Sequence, residues 1–272
     1  MIFAIQGEAG SFSHEAAQGV AGDALELLPC RSFDLLFSAV TQGAAERGVV
    51  PIENSLAGSI HENYDRLRAQ PLHVVGETQV RVRHCLITRP ETRMNAVRRV
   101  ASHPVALAQC RRFFADNPEL EAVPAYDTAG SVRELMGGTL PAEAVIASSL
   151  AAQLYGARVQ RAELEDDPAN FTRFVLVARE PAVLAGPSKL SLTFMLPNEP
   201  GALHRALGAF AGRDLNLTKI ESCPLPGRPW EYVFYVDVAG DPAEQVQAAL
   251  ADLRGLTKEL RVLGWFPQSS PL

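Results

Sequence analysis

Apolar and polar positions repeat one arrangement over the first two-thirds of the chain. A short apolar run ends in small polar residues, and a helical amphipathic pattern follows. "IFAIQ" (2–6) leads to Gly7, Gly10, Ser11 and Ser13, then "HEAAQGVAG". "GVVPI" (48–52) leads to Glu53, Asn54 and Ser55, then to Ile60, Tyr64 and Leu67 at helical spacing. "RRVAS" precedes His103 and Pro104, then Leu107, Cys110 and Phe114. "EAVPAY" precedes Asp127 and Thr128, then Val132, Leu135 and Met136. "EAVIA" precedes Ser148 and Ser149, then "LAAQLYG", where Gly156 is placed to stop a helix. Strands alternating with capped helices predict an α/β fold with a mostly parallel sheet.

Proline and glycine cluster in "EPAVLAGPS" (180–188), and beyond it the pattern changes. "KLSLTFML" alternates as a strand, and "PNEPGALHRALGAFAGRD" reads as a helix with Leu203, Leu207 and Phe210 on one face. "LNLTKIES" and "EYVFYVDV" read as strands, "DPAEQVQAALADL" as a second helix and "TKELRVLGWF" as a last strand. That order, βαββαβ, is the ferredoxin-like arrangement.

Ligands of α/β sheets bind beyond the carboxyl ends of the strands, where helix N-termini point. The small polar residues at those ends therefore predict a site for a small anion such as a carboxylate, although each alone is also an ordinary helix cap. Composition narrows the choice further. Of the 272 residues 47% are hydrophobic and 21% charged, and the net charge of −6 carries no basic stripe for nucleic acid or an anionic membrane. The four cysteines (Cys30, Cys85, Cys110, Cys223) form no CxxC pair, and the histidines show no HxxxH or HExxH spacing, so neither a disulfide framework nor a metal site is expected. With no apolar run of about 20 residues, a cytoplasmic protein without a membrane span is expected.

Some stretches carry more specific chemistry. "GEAGS" (7–11) has the location of a phosphate loop without its lysine or its glycine spacing. It serves either as a plain strand–helix turn or as a turn letting the backbone approach an anion. Glu53 in "PIENS" is either a general acid–base group or a solvated or capping carboxylate. "NFTRF" (170–174) sets Thr172 and Arg173 between two phenylalanines at a strand start, where a guanidinium needs an anion or water. Side chains alternate along a strand, so one of the pair can touch a ligand while the other braces the site.

Together, "GEAGSFS", "PIENSLAG", "SHPVALAQC", "DTA" and "NFTRF" resemble prephenate dehydratase, and "PGALH" and "NLTKIES" resemble its ACT regulatory domain. The chain departs from the family pattern at Glu8, Val105 and Asp127, the last replacing a serine. In "ESCP", Cys223 replaces an arginine, and Arg228 is a cation nearby in sequence that could stand in for it. The resemblance implies a catalytic region of two lobes, like type II periplasmic binding proteins, at about 1–180. Lobe one takes 1–76 and 160–180, lobe two 77–159, and an ACT domain follows at 188–268.

The resemblance also implies loss of carbon dioxide and water from prephenate to give phenylpyruvate, without metal or cofactor. Thr172 would donate toward the departing hydroxyl, with Glu53 as the ultimate proton source. Arg173 and the helix N-termini, Ser11 among them, would bind carboxylate. Asn54, Ser55, Gln109, Thr128 and Asn170 would orient the substrate, and Phe174 would help shape the cleft. An effector, L-phenylalanine, would bind at Asn198, Gly201, Ala202, Leu203, Asn216, Glu221 and Ser222 in a homodimer or homotetramer. A start directly at the first strand sets the expectation of a monofunctional enzyme. The alternatives are an arogenate dehydratase, acting on the amino analogue, and a two-lobed anion sensor without catalysis.

Overall fold

Side-chain caps and left-handed glycines bound the helices where the sequence marks them. The structure is a computed structural model that describes residues 1–184, 188–225, 227–241 and 243–268. In chain order the first elements are β1 (Ile2–Gln6), α1 (Phe12–Ala21), β2 (Glu26–Cys30), α2 (Phe33–Gln42), β3 (Arg47–Asn54), β4 (Gly58–Ser59), α3 (His61–Ala69) and β5 (His73–Arg81). Next come β6 (Cys85–Thr88), β7 (Arg99–Ser102), α4 (Pro104–Ala108), α5 (Arg111–Asp116), β8 (Glu121–Pro124), α6 (Thr128–Gly137), β9 (Ala144–Ala147), α7 (Ser149–Tyr155), β10 (Arg158–Arg161) and β11 (Phe171–Ala178). The last are β12 (Ser188–Met195), α8 (Ala202–Ala211), β13 (Leu217–Pro224), β14 (Tyr232–Ala239), α9 (Ala243–Leu256) and β15 (Glu259–Pro267).

Ser11, Ser32, Asp127 and Ser148 cap α1, α2, α6 and α7, each accepting a backbone N–H of the first turn. Gly156 takes a φ of 70° after α7 and ends it as its position predicts. The chain divides into two compact units: 1–60 with 78–174, and 61–77 with 175–272.

Two sheets hold the strands of the first unit, with residues 73–77 of β5 and 175–178 of β11 counted in the second unit. One runs β2-β1-β3-β11-β5, with β4 paired to β3; the other runs β10-β6-β9-β7-β8. In the second, β7 is parallel to β8 and β9, but β6 is antiparallel to β9 and β10. The sheet is therefore mixed rather than mostly parallel. A βαβ crossover forces strands parallel, and β6 reaches β7, the next strand of its own sheet along the chain, with no α-helix between them. Cores of Ile87, Val132 and Leu135 and of Leu86, Val100 and Phe113 are fully buried there.

The helix predicted after "RRVAS" is two helices, α4 and α5, broken at Gln109 and Cys110. Of the predicted face only Cys110 is fully buried; Leu107 and Phe114 are partly buried against the same core, and the break brings Phe113 into it instead.

The second unit holds the βαββαβ order from β12 to β15 as an antiparallel sheet, β13-β14-β12-β15. Leu192, Phe194, Phe210, Val236 and Leu253 form its core with α8 and α9. Fully burying side chains of this size stabilises by about 1.5–3 kcal/mol each. Helix α8 is shorter than the sequence pattern predicts, because Pro197, Pro200 and a left-handed Gly201 (φ 78°) precede it. Its buried face is Ala202, Ala206, Ala209 and Phe210, which leaves Leu203 exposed. Residues 185–187 of the proline–glycine break lie outside the described residues.

Candidate active site

The ends of β1, β3, β7 and β8 and the starts of α1, α4 and α6 surround a cavity of 440 Å³ in the first unit. That is the size of small-molecule sites. Ser11, Phe12 and Ser13 contribute from the start of α1, Asp127 and Thr128 from the start of α6, and His103, Val105, Ala106 and Gln109 from around α4. Asn54 and Thr172 face it from β3 and β11. The first-turn N–H groups of α1 and α6 supply positive potential at one cavity.

Asn54 organises the floor. Its oxygen accepts the N–H groups of Leu56 (3.1 Å) and Ala57 (2.9 Å), which fixes which way the amide faces. Its nitrogen then donates to Asn170 Oδ1 (2.8 Å), Phe171 O (3.1 Å) and Thr172 Oγ1 (3.1 Å). Because Thr172 accepts from Asn54, its own O–H is left to donate into the cavity.

Asn170, fully buried, donates from Nδ2 to Gln109 Oε1 (3.0 Å), and His84 Nε2 meets the same oxygen at 2.9 Å. With Gln109 as acceptor, His84 carries its proton on Nε2. Burial lowers the His84 pKa, against smaller opposing effects of the Gln109 hydrogen bond and Glu165, so the ring is neutral. His103 is fixed too, its Nδ1 accepting Val105 N–H at 3.3 Å, which places the proton of a neutral ring on Nε2.

Five of the residues singled out in the sequence thus line one cavity: Thr172, Asn54, Gln109, Thr128 and Ser11. Others stand elsewhere. Asn170 lies behind the wall as a hydrogen-bond link between Asn54 and Gln109. Ser55 holds the backbone instead, donating to Ala169 O (2.6 Å) and accepting Phe171 N–H (2.9 Å). Glu53 and Arg173 follow the strand alternation to the other side, where Glu53 Oε2 is 4.0 Å from Arg173 Nη1, and neither lines the cavity. Phe174 is buried and Phe12, rather than either phenylalanine of "NFTRF", lines the cavity.

Sequence reasoning missed His84 and Phe12, because no local pattern marks a residue brought in from a separate strand or helix. The "GEAGS" turn needs its glycines at two points. A Cβ on Gly10 (φ 91°) would sit 2.6 Å from Ala151 Cα, and one on Gly7 (φ 96°) 2.9 Å from an Asp127 carboxylate oxygen. The anion that the turn approaches is the protein's own.

In the second unit, Asn198, Ala202 and Leu203 line a cavity of 180 Å³ with Trp230, Tyr232 and Phe234. Gly201, Asn216, Glu221 and Ser222 are outside its lining. Gly201 caps α8, Asn216 O accepts Ala239 N–H (2.8 Å), and Ser222 is exposed on β13. Glu221 lies 3.3 Å from His61 Nε2 and 3.1 Å from Lys219 Nζ.

Cys223 completes that group, its Sγ 3.0 Å from His61 Nδ1. Burial, with the charges of Glu221 and Asp65, pushes the thiol pKa up to about 11. The thiol therefore keeps its proton and donates to Nδ1, which leaves Nε2–H for Glu221. His61, Glu221 and Cys223 offer ligand atoms within 4.8 Å of one another, a grouping no sequence spacing shows. Lys219 already neutralises the carboxylate, which disfavours a cation there. Arg228, the expected substitute cation, is 3.7 Å from Glu231 on the surface.

The profile of the prephenate dehydratase family matches residues 3–182, and that of the ACT domain matches 190–255. A chloroplastic arogenate dehydratase/prephenate dehydratase 2 of Arabidopsis thaliana is 42% identical over 97% of this chain and 72% of its own. A structure of prephenate dehydratase from Arthrobacter aurescens in complex with L-Phe is 31% identical, with a TM-score of 0.89 over 98% of this chain and 90% of that one. GqqA, described as a novel type of quorum quenching acylase, is 36% identical, with a TM-score of 0.89 over 99% and 98% of the two chains. Among the described residues no helix is long and apolar enough to cross a membrane.

Proposed function

The chain belongs to the prephenate dehydratase family, and on that premise we propose that its cavity removes carbon dioxide and water from prephenate to give phenylpyruvate, or from the amino analogue arogenate to give phenylalanine. The carrying observation is the Asn54–Thr172 hydrogen bond, which turns the Thr172 hydroxyl outward as a donor. The departing group is the ring hydroxyl, and it leaves as water once it gains a proton. Loss of the para carboxylate as carbon dioxide supplies the electron pair that aromatises the ring. Aromatisation drives the reaction, and it calls for no cofactor.

Threonine is a weak acid, so its proton moves in concert with C–O cleavage and is replaced from solvent or the neighbouring hydroxyls. General acid assistance of this kind contributes about 10²–10⁴-fold. The hydroxyls of Ser11, Ser13 and Thr128 and the first-turn N–H groups of α1 would hold the carboxylates. Glu53 and Arg173 act as a brace behind the sheet face that presents Thr172.

The ACT domain makes L-phenylalanine the effector we assign to the cavity at Asn198, Ala202 and Leu203, in a homodimer or homotetramer. The Phe-bound relative supports this assignment. An effector alters activity only by binding one conformation more tightly than another.

Product formation from prephenate and from arogenate, with Thr172→Ala alongside, tests the activity. Turnover of either substrate that drops by orders of magnitude in the variant supports it. A folded wild-type protein that converts neither overturns it. Calorimetry with L-phenylalanine tests the effector: Leu203→Ala should weaken binding about tenfold, and absence of binding to the wild type ends that assignment.

A further inference from the structure

We propose that His84 is a positioning residue: together with Asn170 it holds the Gln109 amide with both Nε2 protons toward the substrate, where they take an oxygen of a substrate carboxylate. The inference rests on the dehydratase reading of this cavity and deepens it by naming what aims one of its donors.

The direction of each amide is dictated by the one before it. Backbone N–H groups cannot reverse, so Leu56 and Ala57 draw the Asn54 oxygen to themselves and leave its nitrogen for Asn170 Oδ1. Asn170 therefore presents its own nitrogen to Gln109, 3.0 Å from Oε1. His84 Nε2 reaches the same oxygen at 2.9 Å, and a carbonyl oxygen has a lone pair for each of two donors. An amide oxygen held in this way fixes where the amide nitrogen points.

That nitrogen carries two protons. Gln109 Nε2 has no hydrogen-bond partner among the described residues, yet it is not one of their buried unpaired atoms. It is therefore open to the cavity that Gln109 lines, with both protons unused.

His84 is 2% exposed and packs edge-on against Phe12, with ring centroids 5.7 Å apart. Its Nδ1 is buried with no hydrogen-bond partner among the described residues, which costs stability. Packing alone would favour phenylalanine here. The histidine is explained by its other nitrogen, whose proton Gln109 accepts. Backbone bonds hold the residue in place: its N–H donates to Glu165 Oε2 (2.9 Å), and its carbonyl accepts Leu164 N–H (2.9 Å).

Two measurements on the full chain test this. In the first, nitrogen NMR spectra of protein labelled at its histidine rings read the tautomer without turnover, with His84 assigned by its loss in His84→Gln. A proton on Nε2 is expected. A proton on Nδ1 alone would make Nε2 the acceptor, reverse the Gln109 amide and overturn the proposal.

The second compares kcat and KM, with whichever of prephenate and arogenate the wild type converts, at a temperature where melts show every variant folded. His84→Phe keeps a ring and removes the donor, and it should raise KM about tenfold with a smaller effect on kcat. His84→Gln sets an amide N–H near the place of Nε2 and should recover most of the loss. In a Gln109→Leu background the same His84→Phe should change KM by less than about twofold. An equal rise in both backgrounds means that His84 acts without Gln109 and overturns the proposal, as does an unchanged KM in His84→Phe. Failure of the dehydratase reading looks different: the wild type converts neither substrate while its His84 proton still sits on Nε2.

Discussion

Asn54 Nδ2 stands 3.1 Å from Thr172 Oγ1 and donates to it, across two strands whose residues are 118 positions apart. The same amide is locked by the N–H groups of Leu56 and Ala57, so the threonine hydroxyl has its direction chosen for it.

If Asn54 works through Thr172, their substitutions are not additive. Thr172→Ala should lower kcat by about 10²–10⁴-fold, and Asn54→Ala by less. The double variant should be no slower than Thr172→Ala alone. Rates that multiply in a double-mutant cycle would mean that the two act independently.

Glu53 and Arg173 lie on the opposite face from Asn54 and Thr172. Glu53→Gln should therefore leave the shape of the pH–rate profile intact while costing up to about 1 kcal/mol of stability. Loss of one limb of the kcat profile would instead make Glu53 the source of the transferred proton.

Gln109 Oε1 serves both Asn170 and His84. Replacing Gln109 with leucine strands two buried donors, at a cost of about 1–3 kcal/mol each. Urea unfolding should show a clearly lower midpoint with little change in slope. An unaltered midpoint would show that water or rotation satisfies those donors.

Glu15 on α1 has its pKa raised to about 7, chiefly by burial, against the opposing Ser148 hydrogen bond and Arg83 charge. A carboxyl whose folded pKa exceeds its unfolded value stabilises the fold at low pH. That contribution is full below pH 4.5 and is lost as the pH rises through about 7. Glu15→Gln should thus be more stable than the wild type at pH 8 by roughly 1–3 kcal/mol, with the gap closing toward pH 5. Melting temperatures that coincide at pH 8 would refute it.

The sequence by itself determined the alternation of strands with capped helices, the βαββαβ arrangement after residue 188 and the family. Each is legible because it rests on local physics: hydrophobic period, caps, and glycine or proline at turns. It also marked Asn54, Gln109, Thr128, Ser11 and Thr172, since polar residues at strand ends and helix starts stand out against an apolar pattern.

Only the tertiary structure decided which polar residues face the cavity and which stand behind it. "NFTRF" contains both kinds one residue apart, and a single strand register sends Thr172 to the site and Arg173 to Glu53. His84 and Asp127 become parts of one site through contacts between distant segments. Such contacts leave no period in the chain, because their geometry is fixed by packing rather than by neighbours in sequence.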